Sequence, residues 1–261
     1  MKLIRFEAGG KVCYGSYEGG AIKAIAGDIF GSFAVTGEEY DFKDVKVLTP
    51  VDPPNIIAIG LNYKSHAGES GHDLPERPVI FIKATTSALA HNGVIRLPAP
   101  APDEVDYEAE LCVVIGKKAK DVSEEDALGY ALGYTCGNDV SARDCQRKID
   151  VQWARGKSFD TFCPFGPFIE TGIGDPQNLN ISSRVNGAVM QSSNTRNMIF
   201  SVRTLISYCS RNMTLLPGTL LMTGTPEGVG FARNPPVFLR DGDLVEIEIE
   251  GVGTLANRVS A

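Results

Sequence analysis

The segment Asp106-Tyr107-Glu108-Ala109-Glu110-Leu111-Cys112-Val113-Val114-Ile115-Gly116 places an acid at every second position at the head of an apolar run. A β-strand repeats every two residues, so on one continuous strand Asp106, Glu108 and Glu110 point the same way. Residues 111–115 are apolar without interruption, the pattern of a strand covered on both faces. Ionised carboxylates next to such a strand need compensating positive charge, and no Lys or Arg lies within the run. A bound divalent cation is the simplest source of that charge; an edge strand with a solvated acidic face is the alternative. The apolar continuation favours acids that emerge from a core into a cleft.

A chain of 261 residues, 43% hydrophobic and 22% charged, suffices for one large domain with a full core and a small appended module. The net charge of -7, with no Lys/Arg cluster, argues against nucleic acid as a partner. The opening residues lack the apolar run and cleavage site of a leader peptide, and no segment reaches the roughly 18 apolar residues that a membrane span requires. The expectation is a cytoplasmic protein that does not associate with membranes. Its six cysteines (13, 112, 136, 145, 163 and 209) form no C-x-x-C pair and read as reduced core thiols. Three histidines, at 66, 72 and 91, are too few for a histidine-rich zinc site. Any metal site must therefore rest mostly on oxygen.

Along the chain, residues 1–50 read as a small β-rich module of short strands (2–6, 12–17, 21–26) and glycine turns. A proline-rich boundary follows, and residues 54–261 form the main domain. Strands are expected at 56–60, 78–83, 93–97, 168–170, 179–185, 220–223 and 244–250. Helices are expected at 63–69, from Ser123 as N-cap into 124–128, and at 200–209, with 140–147 helical or turn-rich. Gly68, Gly71, Asp73 and Pro75 predict a mobile loop after the first helix. Strands outnumber helices without regular alternation, which points to a mixed, mainly β (α+β) architecture rather than a doubly wound α/β sheet.

Several common chemistries fail on spacing. Val151 occupies the upstream glycine position that Gly156-Lys157-Ser158 would need in a phosphate-binding loop, and neither a dinucleotide fingerprint nor a serine-nucleophile elbow is present. Four polar segments remain beside the acidic strand: Gly60-Leu-Asn62-Tyr63-Lys-Ser-His66-Ala-Gly-Glu69; Gly137-Asn138-Asp139-Val-Ser-Ala-Arg143-Asp144-Cys-Gln146; Arg155-Gly-Lys157-Ser158-Phe-Asp160; and Thr223-Gly224-Thr225-Pro-Glu-Gly-Val-Gly230. His66 and Glu69 would share one face of a helix. The last segment is a glycine-rich turn suited to offering backbone amides and a hydroxyl to an anion.

In this order, the five segments resemble the fumarylacetoacetate hydrolase family over roughly residues 54 to 258. The resemblance implies the β-sandwich/roll of that family's C-terminal domain. It also implies an acylpyruvase or diene-dioate isomerase type of activity, and a homodimer. Glu108, Glu110 and Asp139 would ligate Mg²⁺ or Mn²⁺, with Ca²⁺ a third hard cation that oxygen ligands suit. Asp106 would lie outside the ligand set.

The expected reaction is hydrolysis of a carbon–carbon bond in a 2,4-diketo acid, a small keto-acid substrate. His66 oriented by Glu69 would act as general base, Lys157 would stabilise negative charge, and Gln146 would position water or a keto oxygen. Thr225 and Gly224 would hold the substrate carboxylate, with Tyr63 and Arg155 as further substrate contacts and His66 and Glu69 on a lid. Lys83 and Arg155 are the candidates for a second diacid-binding cation. Two alternatives share the site: isomerisation or decarboxylation of hydroxymuconate-type diacids, and oxaloacetate tautomerisation or decarboxylation. A third, of another class, is a non-catalytic metal-binding protein.

Overall fold

Strand Ala109–Ile115 is buried along its whole length because its two faces enter different cores. Leu111, Val113 and Ile115 pack with Ile181, Val185, Ile247 and Ile249, whereas Cys112 and Val114 pack with Ile56, Ala58, Phe165 and Met222. In the computed structural model, which describes residues 1–71 and 73–261, this strand lies near the middle of a twelve-stranded mixed sheet. Its antiparallel neighbours are Ala131–Asn138 and Leu220–Met222, and Leu220–Met222 in turn pairs parallel with Ile56–Gly60. A five-stranded sheet, built from Ala188–Asn194, Asn180–Val185, Leu244–Ile249, Gly253–Ser260 and Val94–Arg96, covers one face. The architecture is mainly β, as expected.

The N-terminal strands Lys2–Ala8, Lys11–Glu18, Ala21–Gly27 and Phe33–Asp41 form an antiparallel meander. Lys2–Ala8 also pairs with Cys163–Glu170, so the meander extends the main sheet. Phe33–Asp41, Ala188–Asn194 and Gly253–Ser260 are strands that the sequence pattern leaves unassigned. All six cysteines are free and five are buried. No helix among the described residues is long and apolar enough to cross a membrane.

Three local expectations change. The acidic segment is not one strand: Val105–Asp106 pairs with Ser141–Ala142, and the chain then breaks at Tyr107 and Glu108 before Ala109–Ile115 begins. The predicted helix after Ser123 is a single 3₁₀ turn, Ala127–Tyr130, with the Ser123 hydroxyl bonded to Asp126. The 200–209 helix is displaced to Val202–Asn212, where the Ser201 hydroxyl accepts from Thr204 N–H as an N-cap. His72, within the predicted loop, lies outside the described residues.

Candidate metal centre and active site

Glu108 and Glu110 share one side of the chain, and the Asn138-Asp139 pair brings a third carboxylate to them from the end of the neighbouring strand. Asn138 Oδ1 accepts from Glu108 N–H at 2.9 Å, and Asp139 N–H donates to Glu108 C=O at 2.9 Å, which clamps the two segments together. The carboxylates of Glu108, Glu110 and Asp139 each offer an oxygen, all within 4.8 Å of one another, and all three residues are buried.

Cations distant in sequence surround this triad. Lys157 Nζ donates to Glu108 Oε2 at 2.9 Å and to Asp139 Oδ2 at 2.6 Å, and Lys83 Nζ donates to Asp139 Oδ1. Arg143 Nη2 stands 2.7 Å from Glu108 Oε1, close enough for an ion pair but off line for a hydrogen bond. Burial alone would raise the Glu108 carboxyl; Lys157, Arg143 and His66 outweigh it and hold the group below the usual carboxylate range. For Lys157, burial opposes the charge, but Asp139 and Glu108 prevail and raise its pKa.

Glu110 differs. Its side-chain partner is the Gly224 N–H, at 2.8 Å, and burial together with Asp139 and Glu108 pushes its carboxyl well above the usual range. The need for an added cation therefore rests on Glu110. An all-oxygen, buried, three-carboxylate pocket with one uncompensated member fits a hard divalent ion.

Asp106, although in phase with the two glutamates, takes a separate role. It is fully buried and accepts from the N–H groups of Tyr107 (2.8 Å), Gly230 (2.7 Å) and Phe231 (3.0 Å) and from Arg143 Nε (2.8 Å). It anchors the 230 loop and Arg143 rather than meeting solvent. Arg143 thus pairs with Asp106 and Glu108, while Asp144 caps Cys145 N–H.

A cavity of about 270 Å³ opens beside the triad, lined by His66, Glu108, Asp139, Gln146, Lys157 and Thr225 among others. His66 belongs to helix Lys64–Glu69, and its Nδ1 lies 2.8 Å from Glu69 Oε1. Glu69 Oε2 accepts from Gly228 N–H at 2.9 Å, so the glycine-rich loop fixes the pair. With Nδ1 engaged, Nε2 is the ring nitrogen left for chemistry. Tyr63 is buried, and its hydroxyl has no partner among the described residues.

Other expected contacts fall elsewhere. Gly224 spends its amide on Glu110. Arg155 does not line the cavity; it is exposed, on the outward side of the short helix Trp153–Lys157, and pairs with Asp150 at 2.6 Å. Lys83 is committed to Asp139, so neither candidate for a second cation is free to meet a diacid.

One residue that the sequence pattern does not single out holds the site together. Gln191 Oε1 accepts from Ala109 N–H and the Ser183 hydroxyl, and its Nε2 donates to Thr225 Oγ1 and Pro226 C=O, all at 2.8–2.9 Å. A lone glutamine in a polar strand carries no local signal of such a role.

A family model described as Fumarylacetoacetate (FAA) hydrolase C-terminal matches residues 55–260, and one described as Rv2993c-like, N-terminal, matches residues 1–50. The chain is 49% identical over 218 residues to the mitochondrial oxaloacetate tautomerase Fahd2a of Rattus norvegicus, covering 82% of this chain and 69% of that protein. Two solved structures each cover 100% of it at 44% identity and TM-score 0.89. One is a 2-hydroxyhepta-2,4-diene-1,7-dioate isomerase from Mycobacterium marinum, 98% of which is covered. The other is a 5-carboxymethyl-2-hydroxymuconate delta-isomerase from Mycobacterium smegmatis, 99% covered. A family match from Asn55 onward and relatives of this similarity leave one assignment: the chain belongs to the fumarylacetoacetate hydrolase family.

Proposed function

We propose that this chain is a divalent-metal-dependent enzyme that moves a proton on a 2-oxo dicarboxylic acid, interconverting its keto and enol forms, with oxaloacetate as the leading substrate. The observation that carries the reading is the shared cavity: a histidine held by a carboxylate faces the same space as Glu108, Asp139 and Lys157. The relative named an oxaloacetate tautomerase supports the choice of substrate.

Glu108, Glu110 and Asp139 would hold Mg²⁺ or Mn²⁺, with Ca²⁺ a weaker fit to a small site. When bound, such an ion draws negative charge onto the carboxylate and 2-oxo oxygens of the substrate and thereby acidifies the adjacent C–H. The chain's own residues do the rest. His66 Nε2 would take the proton from C3 and pass it to the 2-oxo oxygen in one direction and carry it back in the other, while Glu69 fixes the ring. Lys157, kept charged by its two carboxylates, faces the developing oxyanion, and Gln146 and Thr225 orient the bound acid. Ile59, Phe81 and Trp153 form apolar walls that limit water around the reacting carbon.

A second reading is isomerisation of a hydroxydiene-dioate, favoured by the isomerase structures that match the whole chain. It uses the same proton transfer on a longer diacid. Carbon–carbon hydrolysis, the first expectation from the sequence, requires in addition a water aimed at a distal carbonyl and ranks behind both. The homodimer implied by the family resemblance belongs to this proposal and is read by light scattering.

The test is the decay of freshly dissolved enol-oxaloacetate, followed by absorbance with enzyme and Mg²⁺, with enzyme and EDTA, and with Mg²⁺ alone. Acceleration only in the first sample supports the reading, and pyruvate release from acylpyruvates scores hydrolysis in parallel. A decay equal to that with Mg²⁺ alone rejects the tautomerase assignment, and inertness towards every keto acid restores the non-catalytic alternative.

A further inference from the structure

The stretch from Arg143 to Lys157 carries five cationic side chains, and four of them are matched by carboxylates. Arg143 pairs with Asp106 and Glu108, Lys148 with Glu104, Arg155 with Asp150, and Lys157 with Glu108 and Asp139. Arg147 has no carboxylate partner among the described residues. Its guanidinium stacks on Phe231, 4.2 Å from the ring centroid, and the same ring carries Arg143 at 4.5 Å. Arg147 is solvent-exposed, yet it lines the cavity together with Gln146 and Phe231. It projects from Cys145–Ile149, a π-helical turn, a form of backbone that recurs at functional sites.

The charge balance of the cavity gives this cation a purpose. Asp106, Glu108, Glu110 and Asp139 face Lys83, Lys157 and Arg143, so four carboxylates meet three cations in the buried cluster. A divalent ion turns that single negative excess into a single positive one, which the head carboxylate of a 2-oxo acid neutralises. Arg147 then remains as a second positive charge on the wall, with a planar fork of donors suited to another carboxylate. Ser70 adds a hydroxyl to the same wall, buried and without a partner among the described residues.

We propose that Arg147 is the specificity-determining residue of this site: it takes the distal carboxylate of a dicarboxylic 2-oxo acid, so that the enzyme prefers diacids to monoacids. The inference rests on the metal-bound 2-oxo acid reading above and adds the residue that reads the far end of the substrate. Phe231, 4.2 Å from the guanidinium, keeps it at the cavity wall, and the exposure of Arg147 leaves it room to meet diacids of more than one length.

The chain's single tryptophan, Trp153, also lines the cavity, so its fluorescence reports binding without turnover. In the Mg²⁺-loaded full chain, pyruvate and oxaloacetate are titrated as a pair that differs in the distal carboxylate. The wild type is expected to bind oxaloacetate more tightly. Arg147→Gln should weaken oxaloacetate binding by about ten- to a hundredfold, as expected for loss of a charge-assisted pair, and change pyruvate binding by less than about twofold. Arg147→Lys should fall between, keeping the charge and losing the fork. Equal weakening of both acids, or no change in either, overturns the proposal. A thermal melt close to wild type confirms that the exposed substitution leaves the fold intact. If enol-oxaloacetate turnover is absent but the Arg147-dependent preference persists, the tautomerase reading fails and this inference stands. Turnover without that preference overturns the role of Arg147 and leaves the tautomerase reading in place.

Discussion

Gly224 N–H donates to Glu110 Oε2 at 2.8 Å, and that backbone contact takes the place of the ammonium and guanidinium groups that serve Glu108 and Asp139. A neutral amide does not offset a buried charge that also faces two other carboxylates. Glu110 therefore keeps its proton above the usual carboxylate range until a cation displaces it.

The sign of two pH effects follows. A carboxyl whose folded pKa is raised stabilises the metal-free protein at low pH, and that contribution is lost as pH climbs from the ordinary value of 4.5 through the raised one. The metal-free melting temperature should therefore fall over this range, while metal affinity rises as proton competition fades. Calorimetric Mn²⁺ titrations over a pH series upward from 4.5, in buffers of different ionisation enthalpy, should show binding that tightens and proton release that declines as pH rises. Glu110→Gln should abolish the binding and leave the metal-free protein at least as stable as wild type.

Asp106 predicts the opposite pattern. Its four hydrogen bonds hold Arg143 and the 230 loop, so Asp106→Ala takes one of two carboxylates from a buried guanidinium and leaves three N–H groups unpaired. Removing one partner of a buried ion pair costs about 3–5 kcal/mol. Urea unfolding should show a loss of that size. The same titration of Glu110→Gln, alike in sequence pattern, should show none.

These two residues mark what the sequence could and could not reveal. Strand periodicity set Asp106, Glu108 and Glu110 on one side, and for the two glutamates the pattern holds. It fails for Asp106 because the chain breaks at Tyr107, a break stabilised by Ser141, Gly230 and Arg143, all distant in sequence. Asp139 was legible only through the resemblance of its motif, since its neighbours give an ordinary turn. The absence of a cation within the acidic run was true locally and misleading in space, because Lys83, Lys157 and Arg143 arrive from other elements. Arg147 could not be singled out from the sequence: a π-helical turn re-aims side chains relative to an α-helix, and no residue pattern there announces it.

Gln191 offers a test of the scaffold apart from the chemistry. It ties the start of the Ala109–Ile115 strand to Ser183, Thr225 and Pro226 through four hydrogen bonds made by a side chain with 1% exposure. Gln191→Ala should cost about 1–3 kcal/mol for the buried groups left unpaired. It should also raise KM more than it lowers kcat, because Thr225 loses its support whereas His66 does not. Chemical denaturation and steady-state kinetics on the same preparation read both effects.

The His66–Glu69 pair carries the last prediction. His66→Ala removes the group assigned to the proton at C3 but leaves Glu108, Glu110 and Asp139 in place, so Mg²⁺ affinity should stay within about twofold while turnover falls by about 10²–10⁴-fold, the usual contribution of a positioned base. Glu69→Gln keeps a hydrogen-bonding partner for Nδ1 but removes the charge, and one of its two side-chain polar groups must then meet Gly228 N–H. Turnover should fall by less than in His66→Ala, because the ring keeps a partner that orients it. A loss of Mg²⁺ affinity that matches the loss of turnover would place the pair in the metal site rather than at the reacting carbon.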